Sequence, residues 1–323
     1  MKEGTAQVAK QKPIYSVVAP VFNEVEGLGE FYKVLKSVMD TVEGAWELLL
    51  IDDGSTDGSR EVIVDLAAQD SHVVPLIFTR NFGHQIAVTA GMDHAQGDAI
   101  IIIDSDLQDP PQVIPELIAK WKEGYEVVYA VRREREGETW FKRTSASAFY
   151  RLIDRITDVR IPLDTGDFRL LDREVLTVLN TMREKQRFLR GMSSWVGFNQ
   201  IGVEYDRKSR FAGKSKYPFK KMMKLALNAI TGFSTLPLQI AEYSGIVLLT
   251  FSMIYALVAL VFAMLRKPFL PGQALTVFLL LFLGGLLSLF MGIIGEYISR
   301  IYDETKGRPL YILRTNPKIK EKK

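Results

Sequence analysis

The chain of 323 residues contains no cysteine. That excludes disulfides, thiolate metal sites and a cysteine nucleophile, and it leaves the compartment open. Histidine is scarce too. His72, His84 and His94 are the only three, and they show no metal-ligand spacing. Net charge is nearly missing: the formal value of +3 is too small to argue for nucleic acid as a partner. No Gly-x-Gly-x-x-Gly follows the first apolar run and there is no Walker loop, so neither dinucleotide nor P-loop ATP binding is supported. Met1–Pro13 is polar and lacks an apolar core, so it reads as a disordered lead-in and not a secretory signal. No repeat of fixed period is visible.

Charge is also absent from two long stretches. Ser244–Leu265 and Pro268–Gly295 contain no Asp, Glu, Lys or Arg. Each is long enough to cross a hydrocarbon core of about 30 Å as a helix. Arg266-Lys267-Pro268 and Pro271-Gly272 form a tight turn between them. The expected element is a transmembrane hairpin, residues 237–266 and 273–299, with both ends on one side. That side carries Lys220, Lys221, Lys224, Arg300, Lys306 and Arg308. The positive-inside rule puts it, with both termini and the large N-terminal domain, in the cytoplasm at the inner membrane. Residues 217–236 interleave lysines with Met222, Met223, Leu225, Leu227, Ile230 and Phe233, and read as an amphipathic interfacial segment. Residues 300–323 read as a basic cytoplasmic tail. Glu242 and Glu296 flank the spans, and Gly284-Gly285 and Gly292 permit close helix contact.

Residues 14–216 read as one α/β domain. Tyr15–Val21, Glu47–Ile51, Val73–Thr79, Ala99–Ile103 and Glu126–Val131 read as strands. Val25–Met39, Ser59–Ala68, Gln85–His94 and Pro111–Lys122 read as helices between them. This alternation predicts a mostly parallel, Rossmann-like sheet with helices on both faces. Ligands of such sheets gather at the carboxyl ends of the strands.

Four charged clusters fall at those ends: Pro20–Glu24, Asp52-Asp53, Asp104-Ser105-Asp106 with Gln108, and Arg132-Arg133. A lone acidic residue after a strand is most simply a helix cap. Asp104 and Asp106 follow the apolar run Ile100–Ile103 one residue apart, where two carboxylates are costly without a cation between them. A divalent metal carrying phosphates fits that need, and an arginine pair nearby fits an anionic ligand.

With these residues in place the chain resembles a known family. The motifs are Val17–Glu24, Ile51–Gly58, Arg80-Asn81-Phe82-Gly83, Asp104–Pro111, Asp164-Thr165-Gly166-Asp167-Phe168-Arg169 and Arg210–Lys216. Together they resemble the family-2 glycosyltransferases of GT-A fold. The closer likeness is to the polyprenyl-phosphate branch that includes dolichol-phosphate mannose synthase and the bactoprenol glucosyltransferases. It covers about Ile14–Leu236, and the two-helix tail fits the bactoprenol branch.

The resemblance implies roles. Pro20, Phe22, Glu24, Ile51 and Asp53 would line the nucleoside pocket. Asp104, Ser105 and Asp106 would meet ribose, diphosphate and metal, with Gln108 a further contact to Mg²⁺ or Mn²⁺. Arg132, Arg210 and Lys216 would hold phosphates of the nucleotide sugar. Asp106 and Asp167 would be the catalytic carboxylates. Arg187, Arg190 and Lys214, with Arg207, are candidates for the acceptor phosphate. Phe22 stands where the family often has Tyr, which keeps an aromatic stack and loses a hydroxyl contact. His84, after the Arg80–Gly83 turn, is a candidate helper.

The implied reaction is inverting transfer of a hexose, UDP-glucose being the best donor, to undecaprenyl phosphate at the cytoplasmic face. Other donors, such as GDP-mannose or a UDP-aminosugar, keep the same chemistry. A different class is a non-catalytic membrane scaffold with a degenerate transferase domain; the intact Asp104, Asp106 and Asp167 argue against it. Two spans and no Gln-x-x-Arg-Trp segment argue against a processive synthase. Relatives suggest a homo-oligomer.

Overall fold

The computed structural model describes residues 12–133, 165–206, 236–265 and 273–315. These divide into two compact units: residues 12–133, 165–206 and 308–315 form one, and residues 236–265 and 273–307 the other.

The first unit is built on β1 (Tyr15–Val21), β2 (Trp46–Asp52), β3 (Val73–Ile77), β4 (Ala99–Ile102), β5 (Val127–Arg132), β6 (Thr165–Asp172) and β7 (Gln200–Tyr205). Interleaved with them are α1 (Val25–Met39), α2 (Ser59–Gln69), α3 (His84–His94), α4 (Ile114–Lys122), α5 (Arg173–Thr181) and α6 (Leu189–Trp195). The strands β1, β2 and β4 are buried on both faces, so they read as nearly continuous apolar runs. On one face, Leu28, Phe31, Leu35 and Met39 of α1 recur at helical spacing and pack on Val17, Ala19, Leu48 and Ile101. On the other, α3 lies so close to the sheet that a Cβ on Gly91 would sit 2.3 Å from Val18 Cγ1. Only glycine permits that approach.

The strand order is β3-β2-β1-β4-β6-β5-β7. β1 pairs in parallel with β2 and β4, and β2 with β3. The direction of winding therefore reverses between β1 and β4, the place where ligands of open α/β sheets bind. β6 departs from the parallel pattern. It runs antiparallel between β4 and β5, with Ile102 opposite Arg169 and Val131 opposite Thr165. Its first residues therefore reach the edge where β1, β2, β4 and β5 end.

The expected strands and helices are all present, with ends shifted by a residue or two; Pro111–Val113 forms a short 3₁₀ turn before α4. β6, α5, α6 and β7 are additions to the sequence reading. Residues 308–315 also belong to the first unit and run beside β3. The stretch read from sequence as a basic tail, residues 300–323, thus begins as helix up to Thr305 and continues as this docked segment.

The second unit contains α7 (Leu236–Met264) and α8 (Gln273–Thr305). Both are long and apolar enough to cross a membrane. α8 continues past Arg300, where the span was expected to end, with ion pairs Arg300–Glu296 and Lys306–Asp303 on its last turns. Residues 217–235 and the turn 266–272 lie outside the described residues.

Candidate active site

Three loops meet at the edge between β1 and β4. Ser105, buried, donates its hydroxyl to the carbonyl of Pro20 at 2.9 Å and so ties the β4 loop to the end of β1. Its side chain thereby has a structural task. The next loop residues carry Asp106, whose Oδ1 accepts from Gln108 N at 3.1 Å. Leu107 between them has φ +58°, a conformation that costs a branched residue and is typical of loops built for a ligand. Asn23 after β1 is likewise left-handed, at φ +56°, and its side chain accepts from Thr56 N. Phe22 beside it stays 48% exposed, a free aromatic face at the mouth of the site. Glu24 is half-buried, with its N–H on Ser59 Oγ at 2.9 Å. Ile51 is instead fully buried beneath α3, so its side chain packs and does not line an opening.

The pair after β2 is enclosed. Asp52 accepts from Ser55 N and Arg60 Nε, at 2.8 and 2.9 Å. Asp53 accepts from Asn81 Nδ2 and from the N–H groups of Phe82 and Gly83, at 2.9, 2.7 and 3.0 Å. Burial pushes the Asp53 carboxyl up, against those two backbone donors. Gly54 makes the contact possible. Its φ is +74°, and a Cβ there would lie 2.5 Å from Asn81 N.

β6 delivers Asp167 to the same edge. Arg190 Nε donates to its Oδ1 at 2.7 Å, and Gln85 Nε2 to its Oδ2 at 3.0 Å. His84 Nε2 is 3.0 Å from Asp167 Oδ2 and 3.7 Å from Asp104 Oδ1, so the imidazole links the two carboxylates. Burial opposes the charge on His84, yet Asp104 and Asp167 outweigh it and raise its pKa to about 9. The ring is an imidazolium at neutral pH and donates to Asp167. Burial alone would raise Asp167, but Arg190 and His84 hold it well below the usual carboxylate range. Asp104 goes the other way. Burial and the charges of Asp167, Asp109 and Asp106 push it up to about 6, although His84 opposes them.

Behind the cluster, buried Arg169 donates to the carbonyls of Gly166 and Asp167 and to Ser193 Oγ, fixing the backbone that carries Asp167. Arg132 donates to Tyr205 Oη at 3.2 Å and lies 3.8 Å from buried Asp109. It is at the right edge for a phosphate, with its guanidinium partly engaged. Arg187 is not placed to grip one. It is buried, and donates to the carbonyls of Leu179 and Met182 at the end of α5. Arg190, expected at the acceptor phosphate, pairs with Asp167. Arg207, Arg210, Lys214 and Lys216 lie outside the described residues. Gln85 and Arg169 are the residues that sequence reasoning passed over. Arg169 closes the Asp164–Arg169 motif and Gln85 stands two residues beyond the Arg80–Gly83 turn, which was the available signal.

The donors at Asp104, Asp106 and Gln108 are all oxygen, the chemistry that Mg²⁺ and Mn²⁺ prefer. Among the described residues no cluster of three or more acidic or histidine side chains forms a cage for a metal. Two carboxylates beside an open edge suit a cation that brings phosphate ligands with it.

The fold and the site are those of an α/β domain with carboxylates gathered at its strand ends, and the family is glycosyl transferase family 2, to which this chain belongs: its family model matches residues 16–179. The likeness extends through the apolar helices. An uncharacterised glycosyltransferase of Bacillus subtilis (strain 168), YkcC, is 50% identical over 96% of each chain. A prophage bactoprenol glucosyl transferase homolog of Escherichia coli (strain K12) is 43% identical over 93% of this chain and 98% of its own. The bactoprenol glucosyl transferase of Shigella phage SfII is 42% identical over 93% and 97%.

Proposed function

We propose that this glycosyltransferase moves a hexose, glucose from UDP-glucose, to undecaprenyl phosphate at the cytoplasmic face of the membrane, with inversion at the anomeric carbon. One observation carries the reading: β6 brings Asp167 to the edge that holds Asp104 and Asp106, in a chain that matches bactoprenol glucosyl transferases nearly end to end. The apolar helices α7 and α8 support a lipid acceptor and a membrane location. The distribution of Lys and Arg in the sequence supports the cytoplasmic orientation.

In this reaction an oxygen of the lipid phosphate attacks C1 of the sugar. The C1–O bond to the diphosphate breaks, and the nucleoside diphosphate leaves with that electron pair. A divalent cation, held by Asp104, Asp106 and Gln108, would neutralise charge on the leaving diphosphate. Phe22 offers a face for the base, and Arg132 stands near the phosphates. A phosphate monoester has a second pKa of about 6, so the acceptor is mostly dianionic and needs no base to remove a proton. Asp167, held ionised between Arg190 and His84, therefore orients groups and shapes the field.

Labelled UDP-glucose, GDP-mannose and UDP-aminosugars are added singly to membranes holding the protein, with undecaprenyl phosphate and Mg²⁺ or Mn²⁺. Label from UDP-glucose in the lipid extract is the expected result. Nucleotide binding with no transfer from any donor would leave a scaffold in its place. Between pH 6 and 8, Asp167→Asn should keep at least about a tenth of the rate at saturating substrate, the lower end of what a general base contributes being about a hundredfold. A loss of several decades that follows a titrating group would make Asp167 the base.

A further inference from the structure

β3 is the edge strand of the sheet, and such an edge normally exposes unpaired N–H and C=O groups. Here the chain covers it with its own last described residues. Thr79 N donates to Ile312 O at 3.1 Å, and Arg314 N donates to Ile77 O at 2.8 Å. Between them Leu313 bridges Phe78 in the antiparallel sense. Tyr311 stacks on Phe78, with ring centroids 5.4 Å apart and planes at 15°. Its hydroxyl donates to Asp93 Oδ2 at 2.9 Å, and Arg183 grips the same carboxylate from the other side. Lys185 donates to the carbonyl of Arg308. The segment is thus pinned by backbone, ring and charge together.

What it pins is the approach to the donor site. Phe78 is fully buried, and its second aromatic neighbour is Phe82, edge-on at 5.4 Å. Arg80 lies over the Phe82 ring at 3.9 Å. Asn81, Phe82 and Gly83 are the groups that hold Asp53, and Asn81 presses against Gly54. The next residue, His84, links Asp104 and Asp167. The route from Tyr311 to the strand-end carboxylates is therefore a short series of direct contacts, with no gap to bridge.

We infer that residues 308–315 are a working part of the donor site, with Tyr311 and the Ile312–Arg314 pairing as positioning elements that hold the Phe78–Gly83 turn against Asp53. The inference rests on the reading of Asp53 as a wall of the nucleoside pocket. A chain whose tail is displaced keeps its chemistry and loses affinity for the donor, because the turn on which Asp53 depends is no longer backed. Acceptor affinity does not change.

The test uses the full-length protein in detergent, with UDP and GDP as probes and unfolding followed in parallel. Tyr311→Ala removes the stack, and Arg314→Pro removes one backbone donor at an exposed position. Each should weaken binding of the nucleotide that the wild type prefers by about threefold to tenfold, the range of one aromatic pair or one hydrogen bond. KM for the matching nucleotide sugar should rise by the same factor, with kcat within about twofold. Tyr311→Phe keeps the ring and should restore binding to within about twofold of wild type. Asp53→Asn should weaken the same nucleotide.

If Tyr311→Ala and Arg314→Pro lower only the unfolding temperature and bind nucleotide as the wild type does, while Asp53→Asn does not, the inference is wrong and the nucleoside reading stands. If Asp53→Asn also binds as the wild type does, the nucleoside reading of Asp53 fails and takes the inference with it. A wild type that binds neither probe defeats the donor reading itself. Equal weakening by Tyr311→Phe and Tyr311→Ala would show that the stack is not what transmits the effect.

Discussion

Two strands of one sheet end in paired aspartates, and the pairs have opposite surroundings. After β2, Asp52 and Asp53 are buried and ringed by donors from Ser55, Arg60, Asn81, Phe82 and Gly83. After β4, Asp104 keeps a third of its side chain in solvent, meets His84 at 3.7 Å, and shares its neighbourhood with Asp106, Asp109 and Asp167. A carboxylate that faces N–H groups shapes a turn. A carboxylate that faces other carboxylates is prepared for a cation. The sequence motif is nearly the same; the donors brought by distant segments make the difference.

Three substitutions can break or sharpen that contrast. The largest effect belongs to Asp106→Asn. It should cut metal-dependent transfer by about a hundredfold or more, the scale of losing one charge-stabilising group, with thermal unfolding and membrane retention unchanged. A variant that retains most of its rate would move the metal site elsewhere. Asp52→Ala comes next, and its effect should be on stability. It strands Ser55 N–H and Arg60 beside a buried cavity, for a loss on the order of 2–3 kcal/mol in denaturant unfolding. A neutral result would mean that the first pair is no more architectural than the second.

The smallest effect, and one of opposite sign, is expected at Asp104. Its carboxyl titrates in the fold at about 6, above the value of about 4 for an unfolded aspartate. Between those values the folded protein holds a proton that the unfolded chain has released. The contribution of this carboxyl to stability therefore falls as pH rises from about 4 to about 6. In chelator, Asp104→Asn should flatten that slope and unfold at or above the wild-type temperature at pH 7. Adding Mg²⁺ or Mn²⁺ should raise the wild type more than the variant. A variant less stable than wild type at pH 7 would place Asp104 with the architectural pair.

Much of this was legible in the chain. Tyr15–Val21 and Val25–Met39 are found where their patterns put them, because a doubly buried strand and a one-faced helix each write a local period. The acidic clusters fall together at one edge for the same reason: they follow immediately on buried strands. β6 was not legible as a strand. Thr165-Gly166-Asp167-Phe168-Arg169 includes a glycine and two charged residues that are buried by partners far away in sequence, so no period betrays it. The docking of residues 308–315 was hidden likewise, since Tyr311 finds Phe78 and Asp93 only through the fold. Arg187 misled for a simple reason. A guanidinium that caps helix carbonyls and one that grips a phosphate look alike in a sequence.

The antiparallel β6 has a consequence for the order of events during synthesis. β4 and β5 are not neighbours in the sheet; β6, which emerges later from the ribosome, is the strand that joins them. A nascent chain ending at Arg132 has β1 to β4 ready to pair and no partner for β5. The segment that joins β4 to β5 is also the one that brings Asp167. Closing the centre of the sheet and setting Asp167 beside Asp104 are therefore one step.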